Sequence, residues 1–103
     1  MLNGSKNIIE MIEYPKEGIL SKVLVKNKNL NITLFCMAAG TDMSEHTSTK
    51  EGTVYVLEGN GTFTLEGEKI AMSPGRIIFM QKDAKHSIES EKNTAFLLWL
   101  NTP

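Results

Sequence analysis

The feature that most limits this chain is the lack of any helix-length run with apolar residues at helical spacing. Short β-type runs stand instead, cut apart by Gly, Asn, Pro and Asp. Ile19–Lys26, Leu30–Ala38, Thr53–Leu57, Thr62–Leu65, Lys69–Met72, Arg76–Met80, Ser87–Ser90 and Ala95–Leu100 read as strands. They carry alternation, or β-branched and aromatic residues that suit a pleated, half-buried surface. Asn7–Glu13 reads as a further strand, and Gly40–Ser44 and Gln81–Lys85 read as loops. Tyr14-Pro15-Lys16-Glu17-Gly18 is a turn, because Pro fixes φ and Gly permits positive φ. Asn60-Gly61 is a strong hairpin signal. Many short strands at regular spacing predict an all-β sandwich or barrel.

At 103 residues the chain reads as one domain spanning 1–103. Ala95–Leu100 and Ile77–Met80 are apolar at both odd and even positions. Successive strand residues point to opposite faces, so only one face of each can fill a barrel. The other face predicts a homodimer, or else a cover formed by the N-terminal strands of the same chain. The net charge of −1 shows no basic excess, so no nucleic-acid partner is expected. Ala95–Leu100, the longest apolar run, is too short to span a membrane, for which about 20 residues are needed. A lone cysteine, Cys36, forbids an intrachain disulfide, and the first residues do not read as a secretory signal. Both point to a cytoplasmic protein, with Cys36 as a buried thiol.

The only histidines are His46 and His86. Each borders a loop, where binding residues concentrate on a rigid β scaffold. Their surroundings share a pattern. Gly40-x5-His46-x-Ser48-x3-Gly52-x6-Gly59 follows the spacing Gly-x5-His-x-His-x3/4-Glu-x6-Gly. Gly75-x5-Gln81-x-Asp83-x2-His86-x3-Ser90 follows Gly-x5-Pro-x-Gly-x2-His-x3-Asn. These are the two cupin motifs, within 40–90, and the chain resembles a small single-domain cupin of the conserved-barrel type. Ser48 stands in the second histidine's place and Gly52 in the glutamate's. Gln81, Asp83 and Ser90 replace Pro, Gly and Asn.

The resemblance implies a jelly-roll β-barrel of two antiparallel sheets, with His46 and His86 facing each other inside one open end. It also implies dioxygenase, isomerase or decarboxylase chemistry as options, none with its own signature here, so whether the chain is an enzyme stays open. Neutral imidazoles bind Zn, Fe, Ni, Mn or Cu, and a metal ion held by His46 and His86 is the first expectation. Glu45, Glu51, Cys36, Met37 and Met80 are candidates to complete it. The rival reading is a metal-free pocket for a small polar metabolite, oriented by Thr47, Ser48, Thr49, Tyr55 and Gln81, with Ile88 and Phe79 as walls. A third treats the barrel as a dimerising structural partner. No phosphate-binding loop, esterase elbow or Cys-x-x-Cys pair is present.

Overall fold

The computed structural model describes residues 3–101. A four-residue helix, α1 (Ile8–Met11), is followed by nine strands. These are β1 (Ile19–Lys26), β2 (Leu30–Met37), β3 (Asp42–His46), β4 (Glu51–Glu58), β5 (Gly61–Leu65), β6 (Glu68–Ala71), β7 (Ile77–Met80), β8 (His86–Ser90) and β9 (Thr94–Asn101). One sheet has the order β1-β2-β9-β4-β7 and the other β3-β8-β5-β6. All pairings are antiparallel, and the two sheets form the jelly-roll barrel the resemblance implies.

The core follows from alternation. Gly52, Val54 and Val56 of β4 turn inward, while Tyr55 between them is exposed. On β7, Ile78 and Met80 are buried and Ile77 and Phe79 are bare. The inward residues join Met37, Phe63, Met72, Ile88 and Phe96 in one cluster. Burying each large side chain contributes roughly 1.5–3 kcal/mol.

Three local expectations are corrected. Asn60-Gly61 closes no hairpin, because β4 and β5 lie in different sheets and Asn60 belongs to the connection between them. Asn7–Glu13 is not a strand: the Asn7 side chain accepts hydrogen bonds from the Ile9 and Glu10 backbone N–H groups and caps α1. Ile8, Met11 and Ile12 stand at i, i+3 and i+4, the spacing of one helical face. Gly40–Ser44 is not all loop, because β3 begins at Asp42 and pairs with β8.

The helix explains the second apolar face of β9. Ile8, Met11, Ile12 and Tyr14 pack as a strap over Leu34, Cys36, Ala95 and Leu97, outside the barrel. Lys22 ties the strap down, donating to the Met11 carbonyl oxygen at 2.9 Å and pairing with Glu13 at 3.1 Å. The strap stops short of β7, where Phe79 stays 69% and Ile77 49% exposed beside Tyr55 at 37%.

Candidate functional site

His46 ends β3 and His86 begins β8, and the two are register partners across the antiparallel pair. Their ring centroids lie 4.2 Å apart in an edge-on arrangement. A bulge between Met43 and His46 makes this work. Strict alternation would send residues three apart to opposite faces; the bulge lets Met43 and His46 line the same cavity. Glu45 remains exposed. Behind His86, the Phe63 ring stacks parallel at 5.8 Å.

Backbone carbonyls orient both rings. The Nδ1 of His46 lies 2.7 Å from the Ser44 oxygen, and that of His86 lies 3.0 Å from the Ala84 oxygen. A carbonyl oxygen only accepts, so each Nδ1 faces it as the donor, and in a neutral ring the lone pair is then on Nε2. Burial pushes the His86 pKa below its ordinary value and the neighbouring His46 acts the same way, against the opposing pull of the Ala84 carbonyl. Burial thus favours the neutral form of His86.

The pair borders a cavity of about 250 Å³ between the sheets. Apart from the imidazoles its lining is apolar, with Phe35, Val54, Phe63, Phe96 and Leu98 prominent. Of the expected walls, Ile88 is present and Phe79 is outside. Met80 lines the cavity, and Met37 is sealed in the adjoining core. The aromatic lining was missed because Phe35, Phe63 and Phe96 read only as strand filler; strand alternation was the available signal.

The other expected site residues lie elsewhere. Ser48 is past the end of β3, where its Oγ accepts from the Lys50 N–H and its carbonyl oxygen from the Asp83 N–H. It therefore shapes a turn. Tyr55 faces outward on β4. Glu51 and Gln81 meet in a separate depression beside Phe79 and Asn101. Cys36 is buried beneath the strap, on the opposite face of β2 from Phe35. Asp83 has φ +65°, a left-handed conformation that suits the glycine it replaces and that Asp tolerates. Ser90 is a structural anchor: its Oγ sits 2.8 Å from the Ala38 and Thr41 carbonyl oxygens, joining β8 to the β2–β3 connection.

The donor set fits a transition metal on the protein's side only as a pair of imidazoles. Each ring is oriented through its other nitrogen by a backbone carbonyl, as metal-ligating histidines usually are. Among the described residues no third His, Cys, Asp or Glu gathers with them. Gly52, in the place of the family's glutamate, has no room to spare: a Cβ there would lie 3.0 Å from Leu100 Cδ2 and 3.2 Å from the Trp99 carbonyl oxygen.

The match to the cupin domain family spans residues 33–101, covering both motifs and both histidines. The chain is a cupin. A conserved protein of unknown function from Streptococcus pyogenes superposes with a TM-score of 0.88 at 22% identity, covering 100% of this chain and 90% of that one. A cupin superfamily protein from Desulfitobacterium hafniense gives 0.89 at 20% identity, covering 100% and 94%. A variant of salicylate 1,2-dioxygenase from Pseudoaminobacter salicylatoxidans gives 0.77 at 16% identity, covering 91% of this chain but 29% of that one. These likenesses carry the fold alone. No curated protein matches this cupin in sequence. No helix among the described residues is long and apolar enough to cross a membrane.

Proposed function

We propose that this cupin binds a transition metal ion, one of Zn, Fe, Ni, Mn or Cu, through His46 and His86. The two imidazoles that would hold the ion line the apolar cavity. The observation that carries this is the shared ring setting: both Nδ1 atoms lie against backbone carbonyls, so on these adjacent rings Nε2 is the nitrogen left for a metal in the neutral form. Once bound, such an ion supplies Lewis acidity and open coordination positions. The chain's own residues do the rest. The Ser44 and Ala84 carbonyls fix the rings, Phe63 backs His86, and the cavity walls keep water from the apolar part of a ligand. The lining selects a small molecule with an apolar body and one polar head, rather than a wholly polar metabolite.

The test is metal titration of the protein, of His46→Ala and of His86→Ala, with each ion at pH 7.5. Stoichiometric binding of at least one ion, lost in both variants, is the expected result. No binding of any ion by the parent protein refutes the metal reading.

A second reading rests on the missing third ligand. In it the two Nε2 atoms accept hydrogen bonds directly from the head of the same class of ligand, without metal. It predicts a ligand that raises Tm by mass action in metal-free buffer. In either reading we take the chain as a single-domain cytoplasmic protein, as its lone buried cysteine supports. We take a second copy as the cover for Tyr55, Ile77 and Phe79, giving a homodimer.

A further inference from the structure

A second cavity, of about 460 Å³, lies outside the barrel, between the start of the strap and the outer face of β1, β2 and β9. Its floor is Leu24, Val25, Ile32, Leu97 and Trp99. The β1 bulge between Val23 and Val25 helps shape it, since it lets Leu24 and the following Val25 both contribute. Residues 3–6 form the opposite wall, and Lys6 is the one charged side chain among the described lining residues. No Asp or Glu is among them. Among the described residues the ion pair found joins Lys22 to Glu13, and no described carboxylate pairs with Lys6.

An apolar floor with an aromatic ring and a lysine at its wall defines a ligand class. The size lies within the usual range for small-molecule sites, about 300–1,000 Å³. The barrel cavity, at about 250 Å³, is smaller and has no lysine. We propose that the strap cavity binds a small organic anion with an aryl or alkyl body, its carboxylate on Lys6 and its apolar part against Trp99, Leu97 and Ile32. This site is independent of the histidine pair. The strap also covers Cys36, so an occupant would hold the strap, and the thiol's cover with it, against the sheet.

Trp99 is the only tryptophan in the chain, which makes its emission a report on this cavity. The probe is 4-bromophenylacetate, whose bromine quenches indole fluorescence on contact. Its neutral counterpart is 2-(4-bromophenyl)ethanol. Titration of the full chain at low salt is expected to give saturable quenching by the acid, weakened roughly fivefold or more in Lys6→Glu, where attraction becomes repulsion. The alcohol should quench the parent and Lys6→Glu alike. His46→Ala should leave the acid's titration unchanged. Linear, unsaturable quenching overturns the proposal, as does equal affinity of the acid for the parent and Lys6→Glu. Loss of saturable quenching in His46→Ala would move the ligand to the barrel and overturn it too. Lys6 is exposed, so its substitution leaves folding intact, and circular dichroism of each variant verifies this.

Discussion

Gly59 and Gly67 offer a controlled comparison of how much the barrel depends on one close approach. Both have positive φ, +117° and +82°. A Cβ at Gly67 meets nothing within 4 Å. A Cβ at Gly59 would stand 2.5 Å from Thr94 Cα, 2.5 Å from Thr94 Oγ1 and 2.6 Å from the Asn93 carbonyl oxygen. None of these can swing away. Two are backbone atoms, and Thr94 Oγ1 donates to the Lys92 carbonyl oxygen at 2.8 Å and accepts from the Asn60 N–H at 3.2 Å. Gly67→Ala therefore costs about 1 kcal/mol, the left-handed penalty less what the substitution removes from unfolded-state entropy. Gly59→Ala adds forced displacement of the β4–β5 connection, which joins the two sheets, from the start of β9. Strain of about 1–3 kcal/mol and overpacking of about 1–3 kcal/mol give a total near 4 kcal/mol. Since a domain's whole stability is about 5–15 kcal/mol, that is a large share. Urea unfolding followed by Trp99 emission measures both variants. The reasoning expects a difference of about 3 kcal/mol, with unchanged m-values if both stay two-state. Unfolding free energies equal within about 0.5 kcal/mol would falsify the steric argument.

Three other outcomes are expected. Burial lowers the His86 pKa in the fold, so near pH 6.5 the unfolded chain binds more protons than the folded one, and stability rises with pH. The contribution is fully present above the ordinary imidazole pKa and is lost as pH falls from about 6.5 through the lower folded value, so urea midpoints should drop over that window and the drop should shrink in His86→Gln. The Tyr14 hydroxyl, partly buried and donating to Glu58 at 2.8 Å, resists ionisation, so in Tyr55→Phe the remaining phenol should titrate well above pH 10 by absorbance, and a normal titration would contradict the hydrogen bond. Phe79→Lys places a charge at the most exposed large apolar residue, so sedimentation should show a parent dimer and a variant monomer of unchanged fold; a monomeric parent refutes the proposed dimer.

Most of the barrel was legible because strand alternation and turn chemistry agree along the chain. The exceptions have physical causes. β3 is a bulged edge strand of polar residues, Asp42, Ser44, Glu45 and His46 around a single Met43, and it lacks the apolar alternation that marks a strand. α1 is too short to show a full stripe, although Asn7 before Ile8, Met11 and Ile12 did carry its cap and its face. Within the site, motif spacing located His46 and His86 correctly with respect to each other. It misplaced Tyr55 and Phe79 because their outward direction depends on register with Leu97 and Thr53, which only long-range pairing sets. The second apolar face of β9 admitted two explanations; the strap of the same chain covers Leu97, while Ile77 and Phe79 of β7 stay exposed.

β9 lies at the centre of the five-stranded sheet, between β2 and β4, yet it follows the other eight strands in the chain. During synthesis, β2 and β4 must therefore wait with unpaired edges until Thr94–Asn101 emerges to join them. Every earlier intermediate carries two open strand borders and a half-made floor for both cavities. Such borders invite pairing with another chain. For this barrel a single eight-residue segment, β9, closes both open borders at once.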